Sequence, residues 1–301
     1  MSSSQTGPLL RMLLVGLSAS ACTETEAEPE MRLRDLAYAG RSDAQRLDLY
    51  LPARGEGPFP VVVLIHGGGF AEGDKSFSAD SARLLSEHGI AAAAINYRLS
   101  GEAVFPAAVH DAKAAVRYLR GVSSQYDLDP GRVGAWGESA GANIASMLGT
   151  SNADPFTQDL SLGHAQQSSR ISATVSWFAP IDFLSIDAEA QALGFTTHTD
   201  DVDSFESRYM GFAVQDDPAK VALANPTTYI DEDDGAFLVQ VGDADPLIPY
   251  TQSVNFHAAL EAALGPDAAQ LDVLEGAGHG FGAFTSADNR ARVVAFFETF
   301  L

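Results

Sequence analysis

Residues 132–141 read Arg132-Val133-Gly134-Ala135-Trp136-Gly137-Glu138-Ser139-Ala140-Gly141. The first five form a strand-like run, and residues 140–148 have helical character. A serine between glycines on such a strand-to-helix junction is forced out above the sheet, because neighbouring segments leave no room for Cβ atoms beside it. A helix beginning at Ala140 also turns free N–H groups and the positive end of its dipole toward the serine oxygen. Gly-x-Ser-x-Gly alone is common by chance; the strand before it and the helix after it give it meaning.

Outward from this junction the chain alternates. Val61-Val62-Val63-Leu64-Ile65 is an unbroken β-branched run, as expected of a strand buried on both faces of a parallel sheet. Further strands are expected at 33–38, 45–51, 90–97, 173–178, 236–241 and 270–274. Helices are expected at 78–88, from Pro106 onward through Val109, Ala112, Val116 and Leu119, and at 251–264 and 289–301. The pattern predicts an α/β fold with a mostly parallel central sheet and helices on both faces. Residues 183–230 break the alternation with mixed polar and aromatic residues and no strand pattern. They are expected to form a small cap insertion that walls a pocket, with Phe183, Phe195, Phe205, Tyr209 and Phe212 as candidate wall rings.

A serine hydroxyl is a weak nucleophile and needs a base that follows it in space. Of the seven histidines, His88, His110 and His257 fall within expected helices, and His164 and His198 in irregular polar segments. His279 stands in the loop Gly276-Ala277-Gly278-His279-Gly280-Phe281 after the last expected strand, where a base can approach the serine from above. The loop after strand 236–241 offers two carboxylates, Asp243 and Asp245, to orient that histidine. The order Ser, Asp, His differs from that of other serine-hydrolase folds. His66-Gly67-Gly68-Gly69-Phe70, at the end of the 61–65 strand, is suited to collect backbone N–H groups around one oxyanion. The N–H groups of Gly68, Gly69 and Ala140 are the candidates, and the His66 ring is expected to hold the loop rather than move protons.

These motifs, with Asn96-Tyr97-Arg98-Leu99, resemble those of α/β-hydrolase carboxylesterases, in particular the hormone-sensitive-lipase-like and feruloyl/acetyl xylan esterase-like group. The resemblance spans residues 33–301 and implies an α/β-hydrolase fold and a Ser-His-Asp serine esterase. It also places the acid at Asp245 rather than Asp243. Val241-Gly242 stands where relatives often carry His-Gly, without evident catalytic consequence. The stretch before Val61 is shorter than the helical cap of hormone-sensitive-lipase-like enzymes, which favours the xylan-esterase-like branch and short-acyl substrates. No metal or organic cofactor is called for. A prolyl-oligopeptidase-like peptidase shares the triad order but usually adds a propeller for which 301 residues leave no room. A silent binding protein on the same scaffold would typically lack a triad member.

Composition bounds the partners. A formal charge of −22, from 18 basic and 40 acidic residues, with only three lysines, argues against nucleic acid; the small-molecule or polysaccharide-linked ester expected as ligand is what the resemblance implies. The acidic surface suits solubility or salty surroundings.

At the N-terminus, Arg11, the apolar run Met12-Leu13-Leu14-Val15-Gly16-Leu17 and small residues 18–21 precede Cys22. That order predicts a signal peptide over 1–21, of lipoprotein type, with Cys22 as a lipid anchor and an acidic tether over 22–32. The expected location is exported: a periplasmic or membrane-anchored lipoprotein, or extracellular.

Overall fold

The computed structural model describes residue 1, residues 31–152 and residues 154–301. Residues 2–21 of the expected signal peptide and Cys22 lie outside the described residues, as does the tether up to residue 30. Met31 and Arg32, read from sequence as the end of that tether, already belong to the first strand, β1 (Met31–Ala37). The reason is pairing: Met31 stands opposite Leu51 and Arg32 opposite Tyr50 of β2 (Arg46–Leu51), a register that propensity alone does not reveal.

The chain continues through β3 (Phe59–Ile65), α1 (Ala79–Glu87), β4 (Ala91–Ile95), α2 (Ala107–Gly121), β5 (Leu128–Glu138) and α3 (Ala140–Thr150). After β6 (Ala173–Trp177) come three short helices, α4 (Ile186–Ala192), α5 (Phe205–Met210) and α6 (Pro218–Val221). The chain ends with β7 (Ala236–Gly242), α7 (Tyr250–Leu264), β8 (Ala269–Leu274) and α8 (Ala287–Phe300). Among the described residues the strands form one eight-stranded sheet in the order β1-β2-β4-β3-β5-β6-β7-β8. From β4 to β8 every neighbouring pair is parallel; β2 runs antiparallel to both β1 and β4.

Alternation along β3 explains the two cores. Val61, Val63 and Ile65 pack with Val109, Ala112 and Val116 of α2 and with Ile144 and Leu148 of α3. Val62 and Leu64 face the other way, toward Ala82 and Leu85 of α1 and Val293 and Phe297 of α8. Burying both faces requires an apolar residue at every strand position, which is why 61–65 carries no polar side chain. α7 covers β7 through Phe256 and Leu260 against Phe237 and Val239. The α/β-hydrolase architecture expected from the sequence is therefore present, with the parallel strands β3, β5, β7 and β8 ending at the same edge.

Candidate active site

Ser139 sits at the end of β5 with φ 53° and ψ −123°, a left-handed conformation that a non-glycine residue adopts only when its surroundings impose it. Here they do. A Cβ on Gly137 would lie 2.1 Å from the Gly141 carbonyl oxygen, and one on Gly141 would lie 2.2 Å from that of Ile65. The Ser139 N–H donates to Trp177 O at 2.9 Å, tying the elbow to β6.

His279 Nε2 lies 2.9 Å from Ser139 Oγ, and His279 Nδ1 lies 2.7 Å from Asp245 Oδ2. Asp245 is buried, and its second oxygen accepts from the N–H groups of Leu247 at 2.8 Å and Ile248 at 3.0 Å. Both carboxylate oxygens are thus committed, and the oxygen facing the ring can only accept, which places a proton on Nδ1 and leaves Nε2 free to take the serine proton. Asp243 has other work: its carboxylate accepts from Gly276 N–H at 2.6 Å and so shapes the loop that carries His279. Phe178 meets the His279 ring edge-on at 4.7 Å and restricts its rotation.

Gly68 and Gly69, at φ +115° and +56°, hold the loop after β3 in a turn closed by the N–H groups of Ala71 and Glu72 on Gly68 O, each at 3.0 Å. Gly68, Gly69, Ser139 and Ala140 all line one cleft of about 800 Å³. His66 lies beneath, buried, its Nδ1 2.7 Å from Gly67 O and its ring stacked on Tyr97 at 4.6 Å. Burial pushes its pKa down, so it is a neutral prop. The Asn96-Tyr97-Arg98 motif serves the same loop: Asn96 Oδ1 accepts from Lys75 N, and the Tyr97 hydroxyl donates to His66 O at 3.0 Å. Arg98 pairs with buried Asp111 at 2.7 Å.

Of the five rings expected to wall the pocket, only Phe205 lines the cleft. Phe183 and Tyr209 are core residues, Phe212 packs against that core, and Phe195 does not line the cleft; aromatic composition does not say which side of a short helix faces the cleft. Trp177 and Phe178, at the end of β6, and exposed Phe77 and Phe281 line the cleft instead. The β6 pair could have been found from sequence, since a strand beside the serine strand must end at the same edge. Glu138, the residue before Ser139, has no role in the motif reading. It lines the cleft, and burial raises its carboxyl pKa to about 7. Burial also raises that of Glu206.

The BD-FAE family model matches residues 47–260. The chain belongs to the BD-FAE family. This BD-FAE protein is 28% identical over 238 residues to "Esterase LipQ" of Mycobacterium tuberculosis, covering 78% of this chain and 53% of that one. It is 34% identical over 132 residues to "Carboxylesterase NlhH" of the same organism, covering 42% of this chain and 40% of that one. It thus spans about half the length, or less, of the curated relatives it matches. Among solved structures, the truncated form of a carbohydrate esterase from gut microbiota superposes with a TM-score of 0.81 at 28% identity, covering 89% of this chain and 95% of that one. A bifunctional GH43-CE protein of Bacteroides eggerthii gives 0.78 at 33% identity, covering 89% of this chain and 35% of that one. The kinship with carboxylesterases expected from the motifs is met.

Proposed function

We propose that this BD-FAE protein is a serine carboxylic-ester hydrolase that works through an acyl-enzyme on Ser139. The observation that carries this reading is the continuous path from Ser139 Oγ through the His279 ring to Asp245, at 2.9 and 2.7 Å. Ser139 attacks the ester carbonyl as His279 Nε2 takes its proton, and Asp245 stabilises the imidazolium. The N–H groups of Gly68, Gly69 and Ala140 receive the oxyanion. His279 returns the proton to the leaving alcohol, then activates water to release the acid.

Short acyl groups fit this site best. Phe77 and Phe281 stand at the cleft mouth largely in water, so methylenes of a long chain gain little there, against about 0.8 kcal/mol for each one fully buried. The volume of about 800 Å³ exceeds what an acetyl or butyryl group fills, which leaves space for a bulky alcohol such as a sugar residue of a polysaccharide. The carbohydrate esterase among its structural relatives is consistent with that alcohol.

Specificity constants across a p-nitrophenyl ester series at fixed salt, with acetylated xylan and methyl ferulate alongside, test both levels. Acetyl to butyryl esters should rank highest, and Ser139→Ala should abolish both turnover and labelling by a fluorophosphonate. A maximum at roughly ten carbons or more would overturn the short-acyl assignment. Near-normal turnover by Ser139→Ala would overturn the mechanism.

Export with a lipid on Cys22 is our reading of the N-terminal sequence. Mass spectrometry of the membrane fraction should find a chain that begins at lipidated Cys22. A soluble chain that retains residues 1–21 would contradict it.

A further inference from the structure

The loop that carries Gly68 and Gly69 is held from outside the sheet as well as from within. α5 presents Phe205 and Tyr209, four residues apart and therefore on one helix face. The Phe205 ring lies directly on Gly69: a Cβ there would sit 2.3 Å from Phe205 Cδ1. The Tyr209 ring stacks on Phe70, with centroids 3.8 Å apart and planes 11° apart. Phe183 closes on Phe70 and Tyr209 edge-on, at 5.9 and 6.3 Å. One turn of helix thus touches two successive residues of the loop.

A helix of six residues has no stability of its own, so its position must be imposed. Asp187, in the first turn of α4, anchors the segment leading into it: its carboxylate accepts from Thr197 Oγ1 at 2.5 Å, Thr199 N at 2.9 Å and Asp200 N at 3.0 Å. Burial alone would raise this carboxyl pKa; the hydrogen bonds from Thr197, Asp200 and Thr199 more than offset it and hold it below the usual carboxylate range. Ser204 donates to Thr199 O at 2.8 Å and caps α5 by accepting from Ser207 N at 2.9 Å. At the other end, Phe105 N donates to Tyr209 O at 2.8 Å.

We propose that Phe205 and Tyr209 are positioning residues for the oxyanion N–H groups of Gly68 and Gly69, with Asp187 as the latch that keeps α5 on the loop. The inference rests on the esterase reading above. An oxyanion hole stabilises charge because its donors are fixed before the charge develops. Consecutive glycines would by themselves sample other conformations, and a ring against the α-carbon of Gly69 removes that freedom. Since Phe205 also lines the cleft, a wall role is the competing explanation. The two differ kinetically. Wall contacts bind substrate and transition state alike and move KM, whereas fixed donors act only in the transition state and move kcat.

The test uses the full chain and p-nitrophenyl acetate, comparing wild type with Phe205→Ala, Phe205→Tyr and Asp187→Ala. A trifluoromethyl ketone, which adds to Ser139 to form a hemiketal oxyanion, reports the hole independently of turnover. Phe205→Ala and Asp187→Ala should each lower kcat about tenfold or more, within what a 1 Å misplacement can do, and weaken ketone binding in parallel, with KM changed by no more than about twofold. Phe205→Tyr keeps the ring and should recover most of the loss. A raised KM with kcat and ketone affinity unchanged would overturn the proposal in favour of a wall, as would unchanged kinetics in both variants. Should thermal unfolding reveal that Phe205→Ala does not fold, Asp187→Ala decides alone. A wild type that hydrolyses no ester would overturn the esterase reading, and this inference with it.

Discussion

The edge of the sheet that bears Ser139, Asp245 and His279 and the α4–α5 segment that covers it are both irregular in path, yet they are held by different forces. At the sheet edge the chain is locked by close backbone approach and by carboxylates that cap main-chain N–H groups. Gly137 and Gly141 admit no side chain, Ala244 N donates to Ala277 O at 3.0 Å, and Asp245 and Asp243 each accept from main-chain N–H groups. Over the cleft one carboxylate, Asp187, likewise accepts from Thr199 N and Asp200 N, but the rest of the holding falls to side chains: the Ser204 hydroxyl and the rings of Phe205 and Tyr209. A main-chain lock prescribes glycine or aspartate at fixed spacing. A side-chain lock accepts many residues, provided the partner is chosen with it.

The sharpest way to break the first half of this contrast is to substitute the two aspartates of one loop. Asp245→Asn leaves an oxygen for Leu247 and Ile248 but turns an NH₂ group toward Nδ1, which selects the tautomer that cannot take the serine proton. The kcat for p-nitrophenyl acetate should fall on the order of 10⁴-fold. Asp243→Asn keeps an acceptor for Gly276 and should lower kcat less than about tenfold. A reversal of the two effects would move the acid to Asp243.

Glu138 probes how dry the elbow is. Its folded pKa, about 7, lies above the ordinary 4.5, so the folded state holds a proton that the unfolded state has released. Its presence therefore lowers stability as pH rises from about 4.5 to about 7, by an amount that 2.5 pKa units put on the order of 3 kcal/mol. Glu138→Gln should flatten that part of the profile and gain stability at pH 8 relative to pH 4.5. Urea unfolding at the two values measures it, and parallel profiles for the two proteins would mean the carboxyl is hydrated.

The smallest effect is expected in the covering segment. The Tyr209 hydroxyl is buried with no hydrogen-bond partner among the described residues, and burial raises its pKa well above the ordinary value. Tyr209→Phe retains the stack on Phe70 and removes the orphan, so stability should rise by about 1 kcal/mol, or roughly 2 °C in Tm. A fall in Tm would reveal a partner for that hydroxyl.

The same contrast explains what was legible beforehand. Ser139, His279 and the glycines around them could be read because each sits where a strand of recognisable pattern ends and steric demand fixes the residue type. The choice of Asp245 over Asp243 needed the family resemblance, since both are acceptors in one loop. The roles of Phe183, Phe205 and Tyr209 were not legible. All three are aromatic, and only tertiary packing decides which one faces the cleft, the loop or the core. The start of β1 was misplaced by two residues for a related reason, its extent being set by pairing with β2.

The order of the strands also bears on how the protein is made. Ser139 follows β5 in the middle of the sheet, while Asp245 follows β7, His279 follows β8, and α8 then covers the far face. During synthesis, N-terminus first, Ser139 is present for more than a hundred residues before His279 emerges. On the proposed mechanism its hydroxyl lacks the His279 acceptor until then, so the nascent chain would carry an inert alcohol, and reactivity would be switched on only when the last strand has joined the sheet.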